Sequence, residues 1–156
     1  MVGRIDAVLA DKGIELPRAM PPKVGHIEGT ALSRGQLYIS GMIPQWNGER
    51  RFIGKAGQEF DLAQVQEAAR LSALNMLAQA KAALDGDLDR VRRVVKLNGY
   101  INALPDFHDA TPALNGASDL MIEVFGDAGR HARTAVGVAV MPFNVVIEVE
   151  GIFEVD

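Results

Sequence analysis

The chain of 156 residues contains no cysteine, and this absence excludes several kinds of chemistry. Without thiols the protein has no disulfide framework, no cysteine nucleophile and no cysteine-ligated zinc site. Basic charge is not in excess either, since 20 acidic residues outnumber 16 basic residues and leave a net charge of −4. The sequence therefore lacks the electrostatic footprint of a nucleic-acid-binding domain.

Long hydrophobic runs are also missing from the sequence. No run reaches the roughly 18 apolar residues of a membrane-spanning helix, and the acidic N-terminal stretch MVGRIDAVLADKGIELP is not typical of a signal peptide. The histidines His26, His108 and His131 lack the spacing of metal ligands. We therefore expect a cytoplasmic protein without a metal site or a membrane segment.

What is present is the composition of one globular domain. Hydrophobic residues make up 48% of the chain and charged residues 23%, and a chain of this length can bury a substantial core. No repeat, low-complexity tract or linker divides the sequence. We predict a single domain over residues 1–156.

Hydrophobic periodicity predicts the main elements. The clearest is a helix from Asp61 to Leu84, with Asp61 and Gln64 as a capping box and Gly86 as its end. A second helix is predicted over 113–125 and a weaker one over 3–12. Strands are predicted on both sides of an Arg34-Gly35 turn, from residue 91 onwards, and over 132–140 and 145–154, whereas WNGERRFIGKAG is expected to be a surface loop. The order β-β-α-β-α-β-β predicts an α+β fold, with two helices on one face of a mostly antiparallel sheet.

The last two strands are predicted to form a hairpin through MPFN, residues 141–144. If Val140 pairs with Val145, one face of the hairpin packs on the helices and contains Val136, Val138, Val140, Val145, Ile147, Val149 and Phe153. The other face then combines the small residues Ala135, Gly137 and Ala139 with Arg133, Glu148 and Glu150. Small residues there leave room for a neighbouring subunit or a ligand. The assignment depends on the loop, because a connection one residue shorter places Arg133 and Glu148 on opposite faces.

Arg133 has two interpretations from the sequence alone. The simpler one is an ion pair at the surface or at an interface, with Glu148 and Glu150 as a solvated edge. The functional one is a clamp for an anionic ligand, to which a protonated His131 would add charge. Arg130 is interpreted as a loop charge.

Three segments resemble a known family: ISGMIP at 39–44, NGASDLMIEVFG at 115–126 and above all GRHARTAVGVAVMPFNVVIEVEGI at 129–152. They are similar to the Rid proteins, the reactive intermediate deaminases, which are also called YjgF-like or L-PSP proteins. The resemblance extends from about residue 25 to the C-terminus and leaves residues 1–24 as an N-terminal extension. It implies a chorismate-mutase-like fold and a homotrimer with three sites at the subunit interfaces.

The resemblance also implies a reaction and a set of site residues. In family members that hydrolyse imines, the arginine matching Arg133 binds the substrate carboxylate and the glutamate matching Glu148 orients a water molecule. The backbone at Ala135 contacts the reacting nitrogen, and Asn115 and Ser40 line the same pocket. The implied partner is a small carboxylate-bearing metabolite, and hydrolysis of an imine to a keto acid and ammonia requires no cofactor.

The chain departs from the family pattern at one site position and in three segments, of which the N-terminal extension is one. Ile27, next to His26, stands where the typical deaminase has a tyrosine, so both residues are expected near the site. The loop in the 40s and 50s is longer, and GDAGRHAR is an insertion, which indicates a divergent branch. Two alternatives follow: a non-catalytic module that binds a carboxylate metabolite, and an endoribonuclease or translation inhibitor. The acidic balance and the single Trp46 argue against the latter, although Arg50, Arg51, Arg90, Arg92 and Arg93 could form a local basic patch.

Overall fold

A computed structural model describes residues 2–22 and 25–156, in which helices cover one face of a five-stranded sheet. The helices are α1 Arg4–Asp11, α2 Leu62–Ala83, α3 Ala110–Ala113 and α4 Asn115–Phe125. The strands are β1 Thr30–Ser33, β2 Gln36–Met42, β3 Gln45–Trp46, β4 Glu49–Arg50, β5 Val91–Asn102, β6 Ala132–Val138 and β7 Ile147–Val155. The predicted α+β class and element order are confirmed, with a small additional hairpin of β3 and β4 between β2 and α2.

The strands of the large sheet follow the order β1-β2-β7-β5-β6. Neighbouring strands are antiparallel except β5 and β6, which are parallel. A parallel pair needs a crossover connection, and α3 and α4 provide it between β5 and β6. β6 therefore lies at one edge of the sheet, and β1 and β2 lie at the other side.

The predicted hairpin of the last two strands is wrong, because β7 lies between β2 and β5 and does not contact β6 as a neighbour. Consecutive strands usually pair, but here the helical crossover has already paired β6 with β5. At the MPFN connection, Phe143 and Asn144 have positive φ angles of 59° and 53°, and the chain leaves the edge of the sheet before β7 begins.

The register of the strands reverses the predicted faces of β6. Arg133 pairs with Leu97, whereas Glu148 pairs with Tyr100. Leu97 and Tyr100 are three residues apart on β5 with no bulge between them, so Arg133 and Glu148 lie on opposite faces of the sheet. Val136 and Val140, which were expected in the core, are 42% and 83% exposed.

The capping box predicted for α2 is confirmed. The Asp61 carboxylate accepts a hydrogen bond of 2.9 Å from Gln64 N, and Gln64 Oε1 accepts one of 3.0 Å from Asp61 N. The helix packs closely on the sheet because Gly151 has no side chain, which leaves room for the Met76 side chain. Leu97, Ile101, Val149 and Phe153 complete the core on this face.

Helix α1, within the predicted N-terminal extension, is attached to the body of the domain. The Asp89 carboxylate accepts hydrogen bonds from the backbone N–H groups of Arg4 and Ile5, at 2.7 and 2.8 Å. Ile5 and Leu9 are buried in the core. Residues 1, 23 and 24 of the predicted extension lie outside the described residues. No helix among the described residues combines the length and the apolarity needed to cross a membrane.

The opposite face of the sheet, which we call the open face, has no helix packed on it. The register places these side chains there: Tyr38, Asn98, Tyr100, Thr134, Val136, Glu148, Glu150 and Ile152.

Candidate functional site

A cavity of about 320 Å³ lies beside the C-terminal half of β2, and we call it the Glu148 cavity. Glu148, Ser40 and Ile27 all contribute to its wall. Most of the remaining lining is apolar: Met20, Pro21, Pro22, Met42, Ile43, Pro142 and Phe143. His26 is exposed next to Ile27 and is not part of the wall.

A β-bulge in β2 shapes the wall of the cavity. Between Ile39 and Met42 the strand advances three residues while β7 advances two, so Ser40 and Gly41 form an irregular step. Bulges change the direction of side chains next to functional sites. Ser40 Oγ donates a hydrogen bond of 2.6 Å to the Glu28 carbonyl. A Cβ atom at Gly41 would overlap the Glu148 carboxylate, so glycine at this position leaves the space that Glu148 occupies.

Glu148 is the uncommitted carboxylate of the open face. Burial raises the pKa of its side chain, and the neighbouring Glu150 raises it further. Within residues 2–22 and 25–156, no group donates a hydrogen bond to the Glu148 carboxylate. Glu150 differs, because it accepts hydrogen bonds of 2.9 Å from both Asn98 Nδ2 and Tyr100 OH. A partly buried carboxylate with a raised pKa and free oxygens is suited to accept a proton from water.

Arg133 lies at the other edge of the sheet and on the helix side. Its Nη1 donates a hydrogen bond of 3.0 Å to Ser118 Oγ in α4, and its Nη2 donates one of 3.0 Å to the Thr111 carbonyl in α3. These two contacts fix the plane of the guanidinium. The group has five N–H donors, and its hydrogen bonds to described residues use two of them, which leaves three for a ligand.

His131 orients Ser118 in this arrangement. His131 Nδ1 lies 2.6 Å from the Gly129 carbonyl, which can only accept, so Nδ1 carries the proton. In the neutral ring Nε2 then accepts from Ser118 Oγ at 2.9 Å. Burial lowers the pKa of His131, and the charge of Arg133 lowers it further, which favours this neutral form. The hydroxyl oxygen is therefore turned towards Arg133 as an acceptor.

Two other predicted site residues lie on the Arg133 side of the sheet. Ala135 follows Arg133 on the same face of β6 and packs against the core, with its backbone beside Gly99. Asn115 begins α4, one turn before Ser118. The predicted residues thus form two groups, Arg133 with Ala135 and Asn115, and Glu148 with Ser40 and Ile27. One chain does not bring the two groups together.

Residues that the sequence analysis did not place in the site also contribute to it. Arg50 lines the Glu148 cavity, and its guanidinium carbon lies 3.6 Å from the centre of the Phe143 ring. The segment around Arg50, expected to be a surface loop, forms the β3–β4 hairpin. The turn of this hairpin is Asn47-Gly48, a dipeptide typical of tight hairpins. This dipeptide was the signal in the sequence from which the hairpin could have been predicted. The Ser118–His131 contact had no such signal, because it depends on how α4 packs beside β6.

A metal-binding site is not evident in the part of the chain that the structure describes. There, no cluster of three or more histidine, aspartate or glutamate side chains is arranged to hold a metal ion.

Comparison with known proteins agrees with this fold and assigns the family. The family model described as "YjgF/chorismate_mutase-like, putative endoribonuclease" matches residues 6–155. The chain belongs to this family, which includes the YjgF, RidA and L-PSP proteins, and its departures from the family pattern mark a divergent branch.

Three relatives are similar over nearly the whole chain. Protein TCP17 of Trypanosoma cruzi is 43% identical over 155 residues, covering 99% of this chain and 96% of TCP17. The structure of Atu1372 from Agrobacterium tumefaciens, a protein of unknown function, is 42% identical with a TM-score of 0.89, covering 97% and 94% of the two chains. A "putative endoribonuclease" from Shewanella oneidensis is 34% identical with a TM-score of 0.92, covering 97% and 99%.

Proposed function

We propose that the protein is a cytoplasmic hydrolytic deaminase that converts carboxylate-bearing imines or enamines to 2-keto acids and ammonia. Its site is a cleft between two subunits of a homotrimer. The observation that carries the proposal is the Glu148 carboxylate, which has a raised pKa and free oxygens at the wall of a cavity. Family membership supports the same chemistry.

The positions of the two groups in the sheet support a shared site. β6, with Arg133, is one edge of the sheet, and β2, beside the Glu148 cavity, lies towards the other. A head-to-tail contact between the β6 edge of one subunit and the β2 side of the next closes into a ring, which repeats the same pairing at every interface. The open face, with Tyr38 43% and Val136 42% exposed, supplies apolar surface for such a contact.

The chemistry follows from the properties of the two groups. Arg133 binds the substrate carboxylate through its remaining N–H donors and holds the imine carbon near Glu148 of the neighbouring subunit. Water adds to the C=N carbon as Glu148 accepts one of its protons, and Glu148 then passes this proton to the former imine nitrogen to give a carbinolamine. The hydroxyl proton of the carbinolamine moves to the nitrogen by way of Glu148 as the C–N bond breaks, which forms the carbonyl and releases ammonia. General-base catalysis of this kind typically contributes on the order of 10²–10⁴ in rate.

The remaining predicted site residues have supporting roles in this proposal. The Ala135 backbone contacts the reacting nitrogen, Asn115 and Ser40 contact the substrate, and Ile27 provides an apolar wall at the entrance with His26 beside it.

Hydrolysis of imines generated in the assay tests the proposal. An amino-acid oxidase supplies 2-imino acids, whose decay is followed with and without the protein. The protein should accelerate the decay, Arg133→Ala should abolish the effect, and Glu148→Gln should slow turnover while leaving keto-acid binding intact. No acceleration for any of a panel of small and aromatic imino acids would refute the deaminase.

A non-catalytic carboxylate-binding module is the second candidate. The observation that favours it is Ile27, an apolar residue in the cavity wall where the family has a tyrosine hydroxyl. In that case a keto acid binds in an Arg133-dependent manner but no imine is hydrolysed. An endoribonuclease is disfavoured by the charge balance of the chain, since 20 acidic residues outnumber 16 basic residues.

A further inference from the structure

Arg50 is an exposed cation at the wall of the Glu148 cavity. Among the described residues, no carboxylate lies within ion-pair distance of its guanidinium. The guanidinium carbon of Arg50 lies over the Phe143 ring, 3.6 Å from its centre. A cation over an aromatic face keeps N–H groups that can bind a carboxylate.

The hairpin that carries Arg50 is fixed in place by polar contacts. Asn75, a buried residue of α2, donates a hydrogen bond of 2.7 Å to the Gln45 carbonyl. Arg18 N donates one of 2.8 Å to Asn47 Oδ1 at the turn. Arg50 pairs with Gln45 across the hairpin, so β3, which these contacts hold in place, positions the backbone of Arg50.

Phe143 is held in a strained conformation. Its φ angle is 59°, a region that aromatic residues rarely adopt, and its side chain is 53% exposed. The next residue stabilises this turn, because Asn144 Oδ1 accepts a hydrogen bond of 3.0 Å from the buried Asn102 and the Asn144 carbonyl accepts one of 2.7 Å from Gly54 N. Strained backbone that is maintained by surrounding contacts is concentrated at ligand sites. Here the strained backbone places the exposed Phe143 ring beneath the Arg50 guanidinium.

We propose that Arg50, stacked on Phe143, binds a second anionic group of the ligand in the Glu148 cavity. The proposal rests on the proposed function, in which Arg133 of the neighbouring subunit binds the first carboxylate. It defines the substrate class as 2-imino dicarboxylic acids, whose distal carboxylate contacts Arg50 while the reacting carbon lies near Glu148. The apolar part of the wall contacts the methylene groups between them.

Calorimetry with two keto acids that differ only at the far end tests this subsite. The probes are 2-oxoglutarate and 2-oxopentanoate, which share a five-carbon chain and differ by a distal carboxylate. The wild-type protein should bind 2-oxoglutarate at least about ten-fold more tightly, the effect expected of a charge-assisted hydrogen bond. Arg50→Gln should remove this preference and leave the affinity for 2-oxopentanoate unchanged. Phe143→Leu should reduce the preference for 2-oxoglutarate.

Arg51→Gln is the matched control, because it removes the same charge from the adjacent exposed residue, which is not in the cavity wall. It should preserve the preference. The subsite is refuted if the wild-type protein binds both probes equally or neither of them, or if the preference survives Arg50→Gln. The same variants are assayed for imine hydrolysis. If the protein prefers 2-oxoglutarate but hydrolyses no imine, the deaminase is refuted and the Arg50 subsite stands. If it hydrolyses imines but does not prefer 2-oxoglutarate, the subsite is refuted and the deaminase stands.

Discussion

Arg133 and Glu148 lie on opposite faces of one sheet, with β5 between their strands. A small molecule cannot contact both side chains of a single chain in this arrangement. If the two residues act on one substrate, as the family resemblance implies, two subunits must build the site. The oligomer is then a condition of the activity.

The protein should form a trimer in solution. Light scattering should give a mass of three times the chain mass of 16.8 kDa, because a ring of three subunits places the β6 edge of each against the β2 side of the next. A stable monomer at working concentrations would remove the basis for the shared site.

Gly41→Ala should inactivate the protein without unfolding it. The new methyl group overlaps the Glu148 carboxylate and displaces it, so imine hydrolysis should fall about as far as in Glu148→Gln, by roughly 10²-fold or more. Circular dichroism and the melting temperature check the fold.

The double variant Gly41→Ala/Glu148→Gln is the control for this substitution. If the methyl group acts by displacing the Glu148 carboxylate, the double variant should be about as active as Glu148→Gln alone. A further loss would show that the methyl group disturbs another part of the site. Wild-type activity in Gly41→Ala would show that the position of the Glu148 carboxylate does not matter for turnover.

Glu148→Gln should raise the melting temperature at neutral pH. The pKa of folded Glu148 is raised above 4.5 by burial and by Glu150, so its ionisation is less favourable in the folded protein than in the unfolded chain. The gain from the substitution should shrink as the pH falls through the raised pKa towards 4.5. A melting temperature at neutral pH below that of the wild type would contradict the assigned environment of Glu148.

His131 should make the folded protein less stable as the pH falls, whereas the raised pKa of Glu148 acts in the opposite direction. The pKa of the folded residue is lowered below 6.5 by burial and by Arg133, so the unfolded chain takes up a proton first as the pH falls. The free energy of unfolding should therefore decrease below 6.5 until the folded pKa is reached. Urea titrations between about pH 7.5 and about pH 5.5 should show this decrease in the wild type and a smaller one in His131→Asn. Equal decreases would indicate that another group is responsible.

Much of the fold could be predicted from local patterns. The Asp61–Gln64 capping box identified α2, the Arg34-Gly35 turn identified the first hairpin, and helical spacing identified α4. Each of these signals is local, because a cap, a tight turn or an apolar stripe depends on residues close together in the chain.

The order of strands was not predictable in the same way. Whether β6 pairs with β7 or with β5 depends on the path of α3 and α4, which no residue near MPFN specifies. The error had a consequence for the site, because it put Arg133 and Glu148 on one face. The family resemblance named both residues as candidates, but only the sheet order showed that they belong to separate groups. Arg50 and Phe143 were missed, since they come together from distant parts of the chain.

Mixing two inactive variants tests the shared site most directly. Arg133→Ala keeps Glu148, and Glu148→Gln keeps Arg133, so a trimer containing both has one interface that combines the two intact residues. In a random equal mixture about a quarter of the interfaces are intact, and about a quarter of the wild-type rate of imine hydrolysis should return. Light scattering and differential tags confirm that mixed trimers form. Mixed trimers that remain as inactive as the separate variants would show that Arg133 and Glu148 do not act across a subunit interface.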